Sequence, residues 1–283
     1  PDGGTGNEEA PAQPVGKPLN EAAVWQRALI MAAGAFMNFL LGFVVMVILI
    51  AAQSEPITSR VIYAIDDGAL CGQTGLEAGD KVLAVNGRRC FVANDMLYEL
   101  MRTEDYSARF TVLRGGEKVE LPCVRFDTWQ DDSGETHMSL GFTVYGIRKT
   151  PANVVKEAWN SVLYYGRIIF TSLMDLLRGR ESINNLSGPV GIVTAIGQAA
   201  SYGWQDLLQM LALITVNLGI FNLLPFPALD GGKVVFLLIE GVTGHAVPEK
   251  IQSGLTLAAF ALFFGLMLFA TYNDIVRLIT GAV

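Results

Sequence analysis

Asp230 is the side chain whose surroundings most demand a chemical reason. It closes Leu207–Leu229, a stretch without Asp, Glu, Lys or Arg that is long enough by itself to cross a bilayer. An ionisable group at the end of such a segment is expensive unless it is used, so a functional role is the default expectation. The competing reading is an interfacial carboxylate paired with Lys233 one turn on. Around it, Asn222–Gly232 reads N-L-L-P-F-P-A-L-D-G-G. Pro225, Pro227 and the Gly231-Gly232 pair interrupt a regular helix there. Broken backbone at membrane depth is tolerated only where protein or a water-filled cavity surrounds it. Asn222 offers both a donor and an acceptor, which suits either chemistry or a helix–helix hydrogen bond.

The elements that must hold this stretch follow from charge and periodicity. The 283 residues are 51% apolar and only 17% charged, with net charge −7. That is poor in charge for a soluble protein and argues against a nucleic-acid partner. Residues 1–20, rich in Gly, Pro, Glu and Asn, read as disordered. Within 21–56, Ala28–Ser54 carries no charge and predicts a first membrane helix. Its Gly34, Ala35 and Gly42 permit close helix approach, and Asn38 needs a hydrogen-bond partner, structural or at a cleft. Residues 57–126 turn to mixed charge and strand-like alternation: strands at Val61–Ile65 and Lys81–Val85, a turn at Asn86-Gly87, a helix within Phe91–Arg102 and a hairpin about Gly115-Gly116.

Residues 127–150 read as a polar loop and a returning strand, with His137 an ordinary surface histidine. Residues 151–203 read as an amphipathic helix, Pro151 to about Leu177, lying at the bilayer interface, then a loop or short hairpin returning to the membrane. Packing of that helix on the middle domain is the other possibility. Residues 204–283 hold two more membrane helices, the last spanning Ile251–Asn273, with Lys233 to Lys250 marking a return to solvent. The expected fold is a multi-pass α-helical membrane protein, three transmembrane helices with an inserted small α/β domain. Lys17, Arg27, Lys233 and Lys250 place one side mildly as cytoplasmic. Cys71, Cys90 and Cys123 show no CxxC spacing; three free thiols or one bridged pair both remain open.

Several spaced motifs carry a family resemblance. N-x-x-P-x-P-x-L-D-G over Asn222–Gly231 resembles the third-core-helix motif of the site-2 protease family, intramembrane zinc metalloproteases of the bacterial PDZ-containing type. Ala33-Gly34-Ala35 with Asn38, Gly188-Pro189-Val190-Gly191-Ile192 and Asn273-Asp274-Ile275 resemble further signatures of that family. Gly75–Gly87, G-L-E-A-G-D-K-V-L-A-V-N-G, is similar to the core run of bacterial PDZ domains. Leu140-Gly141-Phe142 resembles their carboxylate-binding turn, although a last strand returning the chain to the membrane is the simpler view.

The resemblance implies Zn2+ held by Asp230, with two histidines and a general base from a His-Glu-x-x-His helix. The sequence has two histidines, His137 and His245, neither in that pattern. Either an upstream helix is missing, making the chain a piece that is inactive alone, or the protein is a catalytically inactive PDZ-bearing membrane adaptor. A transporter built on broken helices is a third reading. Pro225 and Pro227 would keep the segment open beside the metal, Gly231 would permit turning, and Asn222 would hold substrate or steady the tetrahedral intermediate. The implied activity is regulated intramembrane proteolysis in the bacterial inner membrane. Its partner would be a transmembrane signalling or anti-sigma-factor-like protein already trimmed by another protease. The PDZ-like domain would lie outside the cytoplasm.

Overall fold

The computed structural model describes residues 22–280 apart from Glu104, Ser133 and Glu181; the segment 1–20 read as disordered lies outside them. Among the described residues, three helices are long and apolar enough to cross a membrane: α1 (Val24–Ala52), α6 (Trp204–Leu223) and α8 (Glu249–Thr280). They make this an integral membrane protein. The chain folds as two units. One holds 222–262 with the described residues up to Ala35, and the other holds 36–221 with 263 onward.

Between α1 and α6 lies a small domain. Its elements are β1 (Ile57–Ile65), α2 (Leu70–Gln73), β2 (Lys81–Val85), β3 (Arg88–Arg89), α3 (Ala93–Met101), β4 (Ser107–Arg114), β5 (Glu117–Arg125), β6 (Asp127–Gln130), β7 (Thr136–Ser139) and β8 (Phe142–Ile147). The main sheet is antiparallel in the order β5-β4-β2-β1-β8, with β3 on β2. Ala108, Phe110 and Val112 alternate into the core along β4, where Ile62, Leu76, Val82, Met96 and Leu100 meet them. Val85 pairs with Arg88 and Arg114 with Glu117, so each hairpin closes on two residues. Asn86, Gly87, Gly115 and Gly116 all take positive φ there, the hand that matches strand twist.

Asp80, in the Gly79-Asp80 pair before β2, is fully buried. Its carboxylate accepts from Arg114 Nε and Nη2, both at 2.7 Å, and from the Glu77 N–H at 3.0 Å. A buried charge satisfied this fully ties the β4 end to the loop before β2.

Four stretches of the fold depart from the sequence reading in their secondary structure or bounds. The small domain runs on to Ile147, because β8 completes the sheet beside β1. The expected polar loop after 126 contains the β6–β7 hairpin, in which the Trp129 ring lies 4.8 Å from that of His137. Gly188–Gly203 is not a loop: α5 (Pro189–Tyr202) starts with Pro at its first position, where the missing N–H costs nothing. The return to solvent after Asp230 is also helical, as α7 (Asp230–Thr243), stopped by Gly244 at φ +72. The cysteines are all free, Cys71 and Cys90 buried and Cys123 exposed.

Helix α4 (Pro151–Leu177) starts where expected, with the Asn153 N–H donating to the Thr150 hydroxyl at 3.2 Å. Its Val154, Ala158, Val162 and Tyr165 pack with Val45, Met46 and Leu49 of α1 and with Ala212 and Val216 of α6. Gly42 sits tight in the same cluster, since a Cβ there would lie 2.8 Å from Val216 Cγ2. Val155, Trp159, Leu163 and Phe170 stay exposed, an apolar stripe suited to lipid. Two sequence motifs turn out to be halves of one contact. The Gly191 N–H at the start of α5 donates to Asp274 Oδ2 of α8 at 2.7 Å, and Gly188 leaves 2.7 Å between an added Cβ and Thr271 N.

Arg114→Ala would strand the Asp80 carboxylate in the sheet domain and is expected to cost about 3 kcal/mol. Urea unfolding should show a lower midpoint for the strand signal while the helical signal is kept.

Candidate functional site

The unit that contains Asp230 is organised by a break in the backbone. Helix α6 carries Asn222 in its last turn and ends at Leu223, since the residue before Pro225 is pushed out of helical geometry. The link then folds on itself. The Phe226 N–H donates to the Leu224 carbonyl at 2.7 Å, and the Leu229 N–H to the Phe226 carbonyl at 2.9 Å. Thr256 Oγ1 of α8 donates to the Pro227 carbonyl at 3.1 Å. Leu229 is extended, and Asp230 is the first residue of α7. Its carboxylate therefore stands in a first helical turn, where the free N–H groups and the helix dipole favour negative charge.

Gly231 and Gly232 are not turning residues, contrary to the sequence reading; both are helical and buried. They are needed because the link crosses directly over them. A Cβ at Gly231 would strike the carbonyls of Leu223 and Leu224, and one at Gly232 the carbonyl of Phe226.

Two neighbours of Asp230 are defined. Lys233 Nζ lies 3.4 Å from Oδ1, both side chains being partly open at 52% and 39% exposure. On α1, a Cβ at Gly34 would stand 3.8 Å from Asp230 Oδ2, so the glycine of the Ala33-Gly34-Ala35 run faces the carboxylate. Arg27 and Glu240 form an ion pair that joins α1 to α7 in the same unit. Asn222, Pro225, Pro227, Asp230 and Gly231 thus belong to one unit. Asn38, half-buried one turn beyond Gly34 along α1, belongs to the other, as do Leu140, Gly141 and Phe142.

Leu140-Gly141-Phe142 leads into β8, the last strand in the sheet order. Gly141 has φ +63, and a Cβ there would lie 2.8 Å from Ala69 Cβ, so only glycine fits. Its carbonyl accepts the Asp66 N–H at 2.9 Å, which fixes the turn against the loop after β1.

Among the described residues, Asp131, Glu135 and His137 form a group of three donors close enough to share a cation. The sequence reading missed it by treating His137 alone; the signal was Asp131 and His137 on facing sides of a hairpin. There His137 Nε2 lies 2.9 Å from Asp131 Oδ2. Asp230 belongs to no such group among the described residues.

A sequence profile of Peptidase family M50 matches residues 3–266. The chain is 31% identical to the "Regulator of sigma-W protease RasP" of Bacillus subtilis, over 96% of this chain and 64% of that protein. It is 34% identical to "Zinc metalloprotease RasP" of Geobacillus kaustophilus, over 88% of this chain and 59% of that protein. To the protein of that name in Bacillus licheniformis it is 30% identical, over 96% of this chain and 64% of the relative. The chain therefore spans roughly six-tenths of the length of these relatives.

The crossing at Gly232 yields a local prediction. Gly232→Ala is expected to force the 224–229 link away from α7 at a cost of about 2 kcal/mol. Faster hydrogen exchange at the Leu229 and Lys233 amides, with α6 unchanged, would report it.

Proposed function

Because the chain belongs to peptidase family M50, we propose that it is the larger part of an intramembrane zinc metalloprotease, with Asp230 as one metal ligand. The observation that carries this is the placement of Asp230. It is an acidic first residue of α7, reached across a proline-broken link at the end of an apolar helix and faced by Gly34 of α1. A single carboxylate in a helix's first turn fits one position of a four-coordinate zinc site, in which three protein ligands leave one place open. Relatives named zinc metalloproteases support that identity of the metal. The remaining ligands and the general base would come from a part of the protein outside this chain, on a His-Glu-x-x-His helix.

Bound there, zinc would supply Lewis-acid polarisation of a scissile carbonyl and a water of lowered pKa. The chain's own residues do the rest. Asp230 holds the metal, and Lys233 neutralises the carboxylate when no metal does. Pro225 and Pro227 keep the link out of helical geometry, which leaves room for an unwound substrate strand. Asn222, in the last turn of α6, holds that strand or the developing oxyanion. The family motif is what assigns Asn38 a place near the substrate cleft.

The substrate class is a transmembrane segment of a signalling or anti-sigma-factor-like protein, already trimmed on its outer side. The name of the Bacillus subtilis relative, a regulator of sigma-W protease, supports it. The small domain is read as PDZ-like. An extended chain would add to the outer side of β8, its terminal carboxylate held by the turn at Leu140-Gly141-Phe142. This domain would face outward from the bacterial inner membrane and select the trimmed substrate.

In the full-length protein, Asp230→Ala is expected to lower both cleavage and zinc retention by at least about a hundredfold. Metal content per protein, measured beside cleavage of a transmembrane substrate, decides it; unchanged zinc would remove Asp230 from the site. Asn222→Ala separates its two roles: a raised KM marks substrate holding, a lowered kcat marks the transition state.

A further inference from the structure

Helix α3 has two faces that are held by different forces. Met96 and Leu100 point into the sheet core. The other face carries Asp95, Glu99 and, just past the helix, Arg102, and these meet α4. Arg167 of α4 pairs with Asp95, lies 3.7 Å from Glu99 Oε1 and donates to the Arg89 carbonyl. Eight residues further along α4, Asp175 Oδ2 accepts from Arg102 Nη2 at 2.5 Å. Arg88 adds a contact to Glu99 at 3.5 Å. The pairs 95 with 167 and 102 with 175 run in the same order, so α3 and α4 lie parallel along a seam of charge.

The seam is closed to water on its acidic side: Asp95, Glu99 and Asp175 are 0%, 3% and 2% exposed. It is nevertheless incompletely bonded. Glu99 Oε1 and Arg167 Nε have no hydrogen-bond partner. A buried ion cluster of this kind adds little net stability against an apolar packing, yet it is unforgiving about geometry. Burial raises the Asp95 carboxyl above the usual range, against the opposing pull of its Val92 and Phe91 N–H donors and of Arg167. The hydrogen bond from Arg102 holds the Asp175 carboxyl below that range. Asp175's contribution is therefore complete above the ordinary aspartate pKa of about 4 and is lost only as pH falls through its lower folded value.

We propose that Arg167 and Asp175 are positioning residues: through the charge seam they fix α3, and with it the small domain, on the helix cluster of α4, and so set which substrates reach the protease. The second half rests on the proteolytic reading above, in which the small domain selects trimmed substrates. Neither residue touches substrate in this account. Their action passes through α3, whose back is the seam and whose front faces the sheet.

The test is a charge swap in the full-length protein: Arg102→Asp, Asp175→Arg and the double variant, with Arg167→Lys as the conservative change. Hydrogen exchange over α3 and over 167–178 should quicken about tenfold in each single variant and return close to wild type in the double. Arg167→Lys should fall between. The preference for a trimmed over an untrimmed transmembrane substrate, as a ratio of kcat/KM, should drop and recover in the same order. Exchange that ignores the single changes, or that the double fails to restore, overturns the seam. Restored exchange with an unchanged preference throughout overturns its role in selection. Exchange that follows the swap while even the wild type cleaves nothing would sink the proteolytic reading and leave the seam standing.

Discussion

The arrangement around Asp230 depends on satisfying backbone hydrogen bonds where α6 stops. In apolar surroundings each unpaired N–H or C=O costs several kcal/mol, so a helix cannot simply be cut there. The link solves this largely within itself. Pro225 and Pro227 bring no N–H to satisfy. The carbonyls of Leu224, Phe226 and Leu229 accept from Phe226, Leu229 and Gly232, and Thr256 of α8 takes the Pro227 carbonyl. With these bonds made, the chain can restart as α7 with an acidic first residue. That restart sets the carboxylate in the first turn of a helix, at the end where the helix dipole is positive.

Small residues are used throughout for approach more than for flexibility. Gly231 and Gly232 let the link lie across α7, Gly42 lets α1 meet α6, and Gly188 lets α5 meet α8. Helices in a bilayer gain nothing from burying apolar side chains against one another instead of lipid, so backbone proximity and dispersion must hold them. The Gly191 N–H to Asp274 bond shows the other device, a carboxylate from one helix satisfying the exposed N-terminus of another. Between these contacts, exposed apolar side chains cover α1, α4 and α8, as lipid-facing surfaces require.

Legibility in the sequence followed the range of the interaction. Local signals carried far: the charge-free runs marked α1 and α8, Asn86-Gly87 and Gly115-Gly116 marked their hairpins, and Pro151 marked the start of α4. Helix α5 was hidden because its glycines and short length resemble a loop; what makes it a helix end is Asp274, more than eighty residues away. Helix α7 was hidden by Lys233 and Glu240, read as solvent markers although they lie on a helix with Val234–Ile239 between them. The Asn222–Gly231 motif pointed to Asp230, but the approach of Gly34 to its carboxylate is a tertiary fact that no spacing encodes. The seam between α3 and α4 was equally silent, since Asp95, Glu99, Arg167 and Asp175 look in sequence like ordinary helix-surface charges.

That silence has a physical basis. An apolar face advertises itself through periodicity, because burying it requires a stripe of similar residues. A buried ion seam needs only a few charges placed to meet, and their partners stand some seventy residues apart, as Asp95 and Arg167 do. Its energy is nearly balanced between desolvation and attraction, so it contributes direction more than strength. Such a contact suits a joint between a self-contained sheet domain and a helix cluster. The domain keeps its own core, with Asp80 and Arg114 sealing one end. In the role proposed for it, the joint specifies the direction in which β8 and the turn before it are presented.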